Sequence, residues 1–234
     1  MQRVLLSLLM AATSVAVVAA PASTMTPFTA DYVVIRNGKE LGETTIALSR
    51  NADDTWTLRT STKGTAGMAK MAGLDVDEQS SLRWRDGVLE TLAYEYRQQA
   101  AFKQRTRQID VDAKTQRVRM ADGDENHDYA WVPGLIDRQA VTLALSADLA
   151  RGTPVLDYKV AGRERVDDVH YVRCGEPEIT VPAGAYASTC VERVRDRRVS
   201  RSWFAESIGW LPVQIEQVEK KGDNITLKLV SLKR

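Results

Sequence analysis

The chain is expected to fold as an all-β protein, an antiparallel sandwich or barrel of about a dozen strands with one short helix. Three observations carry that expectation. Short runs rich in β-branched and aromatic residues alternate with turn pairs along most of the 234 residues. Alternation within the runs is clean. In TLAYEYR, Leu92, Tyr94 and Tyr96 share one face while Glu95 and Arg97 take the other, and in ITLKLVSL Ile225, Leu227 and Leu229 lie together. One buried face and one wet face is the antiparallel pattern. No strand–helix–strand rhythm runs through the chain, which argues against a parallel sheet.

The amino-terminal residues stand apart. Arg3 precedes an apolar run from Val4 to Ala20, and no acidic residue occurs before Asp31. This is the layout of a secretory signal peptide over residues 1–22, with Ala20-Pro21-Ala22 supplying small residues for cleavage after Ala22, or after Ala19 as the alternative. The run is near the lower limit of a bilayer span and is diluted by Ser7, Thr13 and Ser14. Residues 23–234 are therefore expected to be one periplasmic domain without a membrane span.

The strands follow in order. FTADYVVI (28–35) meets the Asn37-Gly38 turn and returns as ELGETTIALSR (40–50), Asn-Gly being the favoured pair for a tight hairpin. TWTLRTST (55–62) comes next, then SSLRWRD (80–86) turning at Asp86-Gly87 into VLETLAYEYRQQ (88–99). AFKQRTRQIDVDA and QRVRMAD close the first half; VLDYKVAG, RVDDVHYVRC, EITV, AYASTCVERVR, SRSWFAES, PVQIEQVEKK and ITLKLVSLK make the second.

Two segments depart from this. Ile136, Ala140, Leu143, Ala144 and Leu149 recur near helical spacing, so one amphipathic helix is expected over about 137–150, capped by Asp137 and ended by Gly152 and Pro154. The segment GTAGMAKMAGLDV (64–76) is a short helix or a loop. Its Met68, Met71 and Leu74 either cap one end of the core or line an apolar ligand site as a flap, a role that suits the flexible thioether. The helix at 137–150 is then a second candidate lid.

Charge excludes one class of partner. The chain has 32 basic and 31 acidic residues; removing Arg3 with the signal leaves 31 of each. A nucleic-acid binder needs a basic excess to neutralise phosphates. The basic cluster Arg193, Arg195, Arg197, Arg198 and Arg201 is interleaved with acids and reads as a solvated strand face.

Chemistry is sparsely signalled. His170 shares a strand face with Asp168, either as an oriented general base or as a strand histidine beside a surface acid. His127 lies in DGDENHDY, where Asp122, Asp124, Asn126 and Asp128 alternate as in a calcium loop, but positions six and twelve hold His127 and Pro133 instead of glycine and glutamate. No G-x-S-x-G, phosphate loop or zinc spacing is present. No catalytic residue, metal or cofactor is expected. The two cysteines, Cys174 and Cys190, flank a hairpin turning at Pro182-Ala183-Gly184, and in an exported chain they are expected to form a disulfide, helped by a bulge near Gly175 to Pro177. Two free buried thiols are the alternative.

Three stretches resemble a bacterial exported family, the domain of unknown function numbered 3108: FTADYVVIRNGKELGETTIAL, EITVPAGAY and SWFAESIGWLPVQIE. The resemblance implies a strongly curved antiparallel sheet, a barrel or half-barrel, similar in style to periplasmic lipoprotein carriers. It brings no catalytic residues. The expected function is a non-enzymatic periplasmic protein holding a lipid or acyl chain for envelope maintenance or transport. The alternatives are an envelope scaffold that docks a protein partner and, remotely, a hydrolase.

Overall fold

The computed structural model of the protein describes residues 25–219 and 222–234; the expected signal at residues 1–22 lies outside them. Hairpin follows hairpin through the first half. β1 (Phe28–Arg36) turns into β2 (Lys39–Arg50) through Asn37 and Gly38, both at positive φ (50° and 76°), the pair that a tight turn matched to strand twist requires. β3 (Trp56–Gly64) leads into a five-residue helix, α1 (Gly67–Met71), and then β4 (Asp75–Arg85), β5 (Val88–Ala100) and β6 (Lys103–Asp112). β7 (Arg117–Asp122) and β8 (Glu125–Ala130) complete this half.

A two-residue strand, β9 (Leu135–Ile136), opens the second half, followed by α2 (Ala140–Ala150), β10 (Leu156–Ala161) and β11 (Val166–Gly175). The small hairpin β12 (Glu178–Val181) and β13 (Gly184–Ala187) precedes β14 (Thr189–Arg195) and β15 (Arg198–Ala205). After a 3-10 turn at Glu206–Ile208 come β16 (Leu211–Val218) and β17 (Asn224–Lys233). Among the described residues the count is seventeen strands rather than a dozen. AYASTCVERVR breaks at Ser188 into β13 and β14, and β8 and β9 add short pieces.

Fifteen strands form one sheet in the order β8-β7-β6-β5-β4-β3-β2-β1-β17-β16-β15-β14-β11-β10-β9. Every pair is antiparallel except β9 with β10. A twisted sheet this wide must curl. The edge strands β8 and β9 are not bonded to each other, so the roll is open, a half-barrel. Its edges overlap instead: Leu135 of β9 packs with Tyr94, Ile109, Val118 and Met120 of β5 to β7, and the Tyr129 hydroxyl donates to Gly162 O at 2.9 Å.

The inner face carries the core. β1 reads buried at every second position, Phe28, Ala30, Tyr32 and Val34, and the first three share one cluster with Leu48, Leu58, Val213 and Leu229 of β2, β3, β16 and β17. Each large side chain buried this way contributes roughly 1.5–3 kcal/mol. α2 lies inside the roll and is buried through Ala140, Val141, Leu143, Ala144, Leu145, Ala147 and Leu149. It is therefore no surface lid: apolar residues occur all round it, and such a helix belongs in a core.

Antiparallel pairing sorts the turns onto two ends. One end, the mouth, holds the tips at 36–39, 64–75, 100–103, 195–198 and 218–224. The other, the floor, holds the turns at 50–56, 85–88 and 205–211. At the floor the β12–β13 hairpin folds against β16 and β17, burying Val181 and donating Ala183 N–H to Leu229 O at 3.0 Å. Cys174 and Cys190 are disulfide-bonded at its base, Cα atoms 5.0 Å apart. The bulge that permits this sits at Cys174 itself, between Arg173 and Gly175, slightly earlier than expected.

Candidate functional site

α2 fills part of the roll and leaves beside it a cleft of about 440 Å³ that runs towards the mouth. Phe28, Tyr32, Leu58, Leu143 and Leu211 form its base, and Ile215, Ile225 and Leu227 of β16 and β17 form one apolar wall. The opposite wall is polar because it is where α2 is tied to the sheet. Gln139 accepts from Ser80 Oγ and donates to Thr60 Oγ1, each at 2.8 Å. Arg138 donates to Glu78 Oε1 at 2.8 Å and to the Tyr94 hydroxyl at 2.9 Å, and lies over the Tyr96 ring at 4.8 Å. Tyr94 in turn donates to Glu78 Oε2 at 2.7 Å. Burial, then the Glu78 charge, pushes the Tyr94 hydroxyl far above its ordinary range. Burial opposes the Arg138 charge, but Glu78 outweighs it and raises the guanidinium further.

Behind this wall Asp137 is fully buried. Its Oδ1 accepts from the backbone N–H groups of Gln139 and Ala140 at 2.8 and 3.0 Å, and Thr91 donates to Oδ2 at 2.7 Å while accepting from Asp137 N–H at 2.8 Å. The carboxylate thus caps α2, as the sequence spacing indicates, and also ties it to β5. Burial raises its pKa.

Across the cleft stand Tyr171, Arg193, Ser200 and Gln217. Burial raises the Tyr171 hydroxyl, and the Arg193 charge partly offsets this. The arginines around it are paired: Arg195 with Asp167, Arg198 with Glu219, Arg201 with Glu192 and Glu216. Among the described residues no carboxylate lies within 4.0 Å of Arg193. Of this cluster Arg195, Arg197 and Arg198 are exposed, while Arg193 and Arg201 are half-buried. Alternation in CVERVR places Arg193 on the face of the buried Val191, a signal present in the sequence and overlooked there.

The other expected site residues lie elsewhere. Met68 and Met71 are 83% and 88% exposed, and Leu74 is half-buried; none of the three lines the cleft. Only Ala69 of α1 is buried, packed so close to Gly64 that a Cβ there would sit 2.7 Å from Ala69. That contact turns both methionines outward, and in this structure they pack neither on the core nor against the cleft. His170 pairs through Nδ1 with Asp157, its cross-strand partner, rather than with Asp168, and both side chains are exposed. His127 lies on β8, with Nε2 3.6 Å from Glu125. In the calcium-like stretch Asp122 is bonded by Arg107 and Arg105, and Asp128 by Arg117. A wider depression of about 680 Å³ runs along β11 and β14 past Asp168, His170 and Glu192, but it is a shallow strand surface open to solvent. Among the described residues no group of three or more His, Cys, Asp or Glu side chains could hold a metal, and no helix is long and apolar enough to cross a membrane.

Comparison with known proteins finds a family whose model the sequence matches. The model of the family described as "Protein of unknown function (DUF3108)" matches residues 27–230. Among solved structures, a beta-barrel-like protein of domain of unknown function DUF1849 from Brucella abortus superposes with a TM-score of 0.57 at 10% identity, covering 91% of this chain and 99% of its own. A Bacteroides fragilis protein with a YmcC-like fold covers 89% and 94% at 11% identity, with a TM-score of 0.35. The former likeness is one of fold alone. Among curated proteins none matches.

Proposed function

We propose, from the premise that the chain belongs to the DUF3108 family of proteins of unknown function, that it is an exported carrier of a single-chain anionic amphiphile such as a fatty acid. One observation carries the reading: a cleft with an apolar base and one apolar wall ends beside Arg193, which among the described residues has no carboxylate partner. The apolar chain lies between α2 and the wall of Ile215, Ile225 and Leu227, and the acidic head meets Arg193, with Ser200 and Gln217 as further donors. A volume of about 440 Å³ is within the range of small-molecule sites. A charge-assisted bond to a guanidinium is among the stronger polar contacts. The exported setting, in which a lipid must cross water, rests on the signal read at residues 1–22.

Arg193→Gln is expected to weaken palmitate binding about tenfold, the loss of one charged hydrogen bond, while leaving hexadecanol binding unchanged. Titration with the two probes by calorimetry measures both. Equal loss for the two, or no saturable binding of either by the wild type, refutes the carrier. Native mass spectrometry of protein from the exporting cell then identifies the resident lipid.

A further inference from the structure

Three of the largest exposed apolar side chains are gathered at the mouth. Met68 and Met71 project from α1, and Phe102, 105% exposed, stands on the β5–β6 tip beside it. The two tips touch: Ala101 N–H donates to Ala72 O at 2.5 Å. The seat of Ala69 on Gly64 fixes the helix with its methionines outward, so their exposure is built into the backbone. Along residues 65–74 and 100–103 the only charged side chains are Lys70 and Lys103. Both are exposed, and among the described residues neither has a carboxylate within 4.0 Å.

We infer that this rim docks the protein onto an anionic phospholipid surface, with Met68, Met71 and Phe102 entering the acyl boundary and Lys70 and Lys103 meeting the phosphates. Two narrow tips with unpaired lysines fit a lipid interface, where apolar points sink and cations stay at the headgroups. A protein partner of ordinary interface size asks for a broader face, about 800 Å² a side. The rim's position adds direction. The cleft opens at the same end, so a docked molecule faces the bilayer with its mouth. Docking itself needs no ligand in the cleft and stands whether or not the carrier reading does.

The test is co-sedimentation of the mature chain with vesicles of phosphatidylethanolamine and phosphatidylglycerol, and separately of phosphatidylcholine. The wild type is expected to partition onto the anionic vesicles. The triple variant M68S/M71S/F102S is expected to lose about tenfold or more. K70Q/K103Q is expected to lose a similar factor at low salt and little at high salt, where screening removes the difference. All five positions are exposed, so folding is undisturbed, and an unchanged melting temperature verifies it. Arg193→Gln, which tests the cleft, is expected to leave partitioning unchanged. Absence of wild-type binding, or a triple variant that binds equally, overturns the inference. So does a rim that ignores vesicles and instead crosslinks from position 102 to an envelope protein.

Discussion

Replacing Asp137 with alanine is expected to lower the folding stability by about 3–5 kcal/mol, the upper part of the range for a single substitution. The loss of a helix cap costs about 1 kcal/mol. Here the cap is buried, so the N–H groups of Gln139 and Ala140 and the Thr91 hydroxyl lose partners where water cannot replace them. Each such orphan costs about 1–3 kcal/mol. The damage should localise to the join between α2 and the β5 wall. Hydrogen exchange is expected to quicken in Ala140–Ala150 before it quickens in β1 or β17, and palmitate uptake should fall with it because α2 is one wall of the cleft. Equal exchange in α2 and the wild type would refute the tether.

The same residue gives a pH signature. Burial raises the Asp137 pKa above its ordinary value of 3.8. The native chain therefore keeps the proton to higher pH than the unfolded chain. The stability this proton contributes is full below the unfolded pKa and is lost as pH rises through the native one. Asp137→Asn keeps an acceptor for the two backbone N–H groups and carries no charge. It is expected to flatten the pH dependence of the melting temperature in that window while costing far less than alanine.

How much of this the sequence foretold differs by element. Alternation located the strands because one face is wet throughout, and Asp137 was legible as a cap because its spacing to the apolar run is local. The same spacing could not tell a lid from a core helix. α2 is buried because its few polar side chains find partners: Ser146 Oγ donates to Thr142 O at 3.0 Å within the helix itself, and Asp148 accepts from the Tyr158 hydroxyl of β10 at 2.7 Å. The second bond is invisible until the roll is formed. The overlap of β9 on β5 has no local signal at all, since it joins residues more than thirty positions apart in sequence without a hydrogen-bonded ladder. At α1 the helical spacing of the methionines was read correctly, and their direction was not, because a backbone contact between Gly64 and Ala69 decided it. The cleft was likewise beyond the sequence: it is the space left when α2 fails to fill the roll.

Removing the disulfide, by Cys174→Ser with Cys190→Ser, is expected to cost about 3 kcal/mol. The bridge closes a loop with a sequence separation of 16, and in the chain-entropy account a loop of this size restrains the unfolded chain by about 3 kcal/mol. For a chain of this length about 2–4 °C of melting temperature follows each kcal/mol, so the midpoint should fall by about 6–12 °C. A native-state consequence adds to it. The loop encloses β12 and β13, the hairpin that closes the floor; outside the bridge that hairpin is held by the packing of Val181, Ile179, Ala183 and Tyr186 on the core and by Ala183 N–H on Leu229 O, and its own base is closed by Ser188, whose N–H and hydroxyl both donate to Pro177 O. Amides of residues 178–187 should therefore exchange faster in the double variant under native conditions, while those of β1 and β17 keep their protection. A lowered midpoint with unchanged exchange in the hairpin would place the whole effect in the unfolded chain and sink the idea that the bridge holds the floor shut. If both changes occur, the floor becomes the weak end of the cleft, and palmitate bound at the mouth should leave the reduced protein faster than the oxidised one.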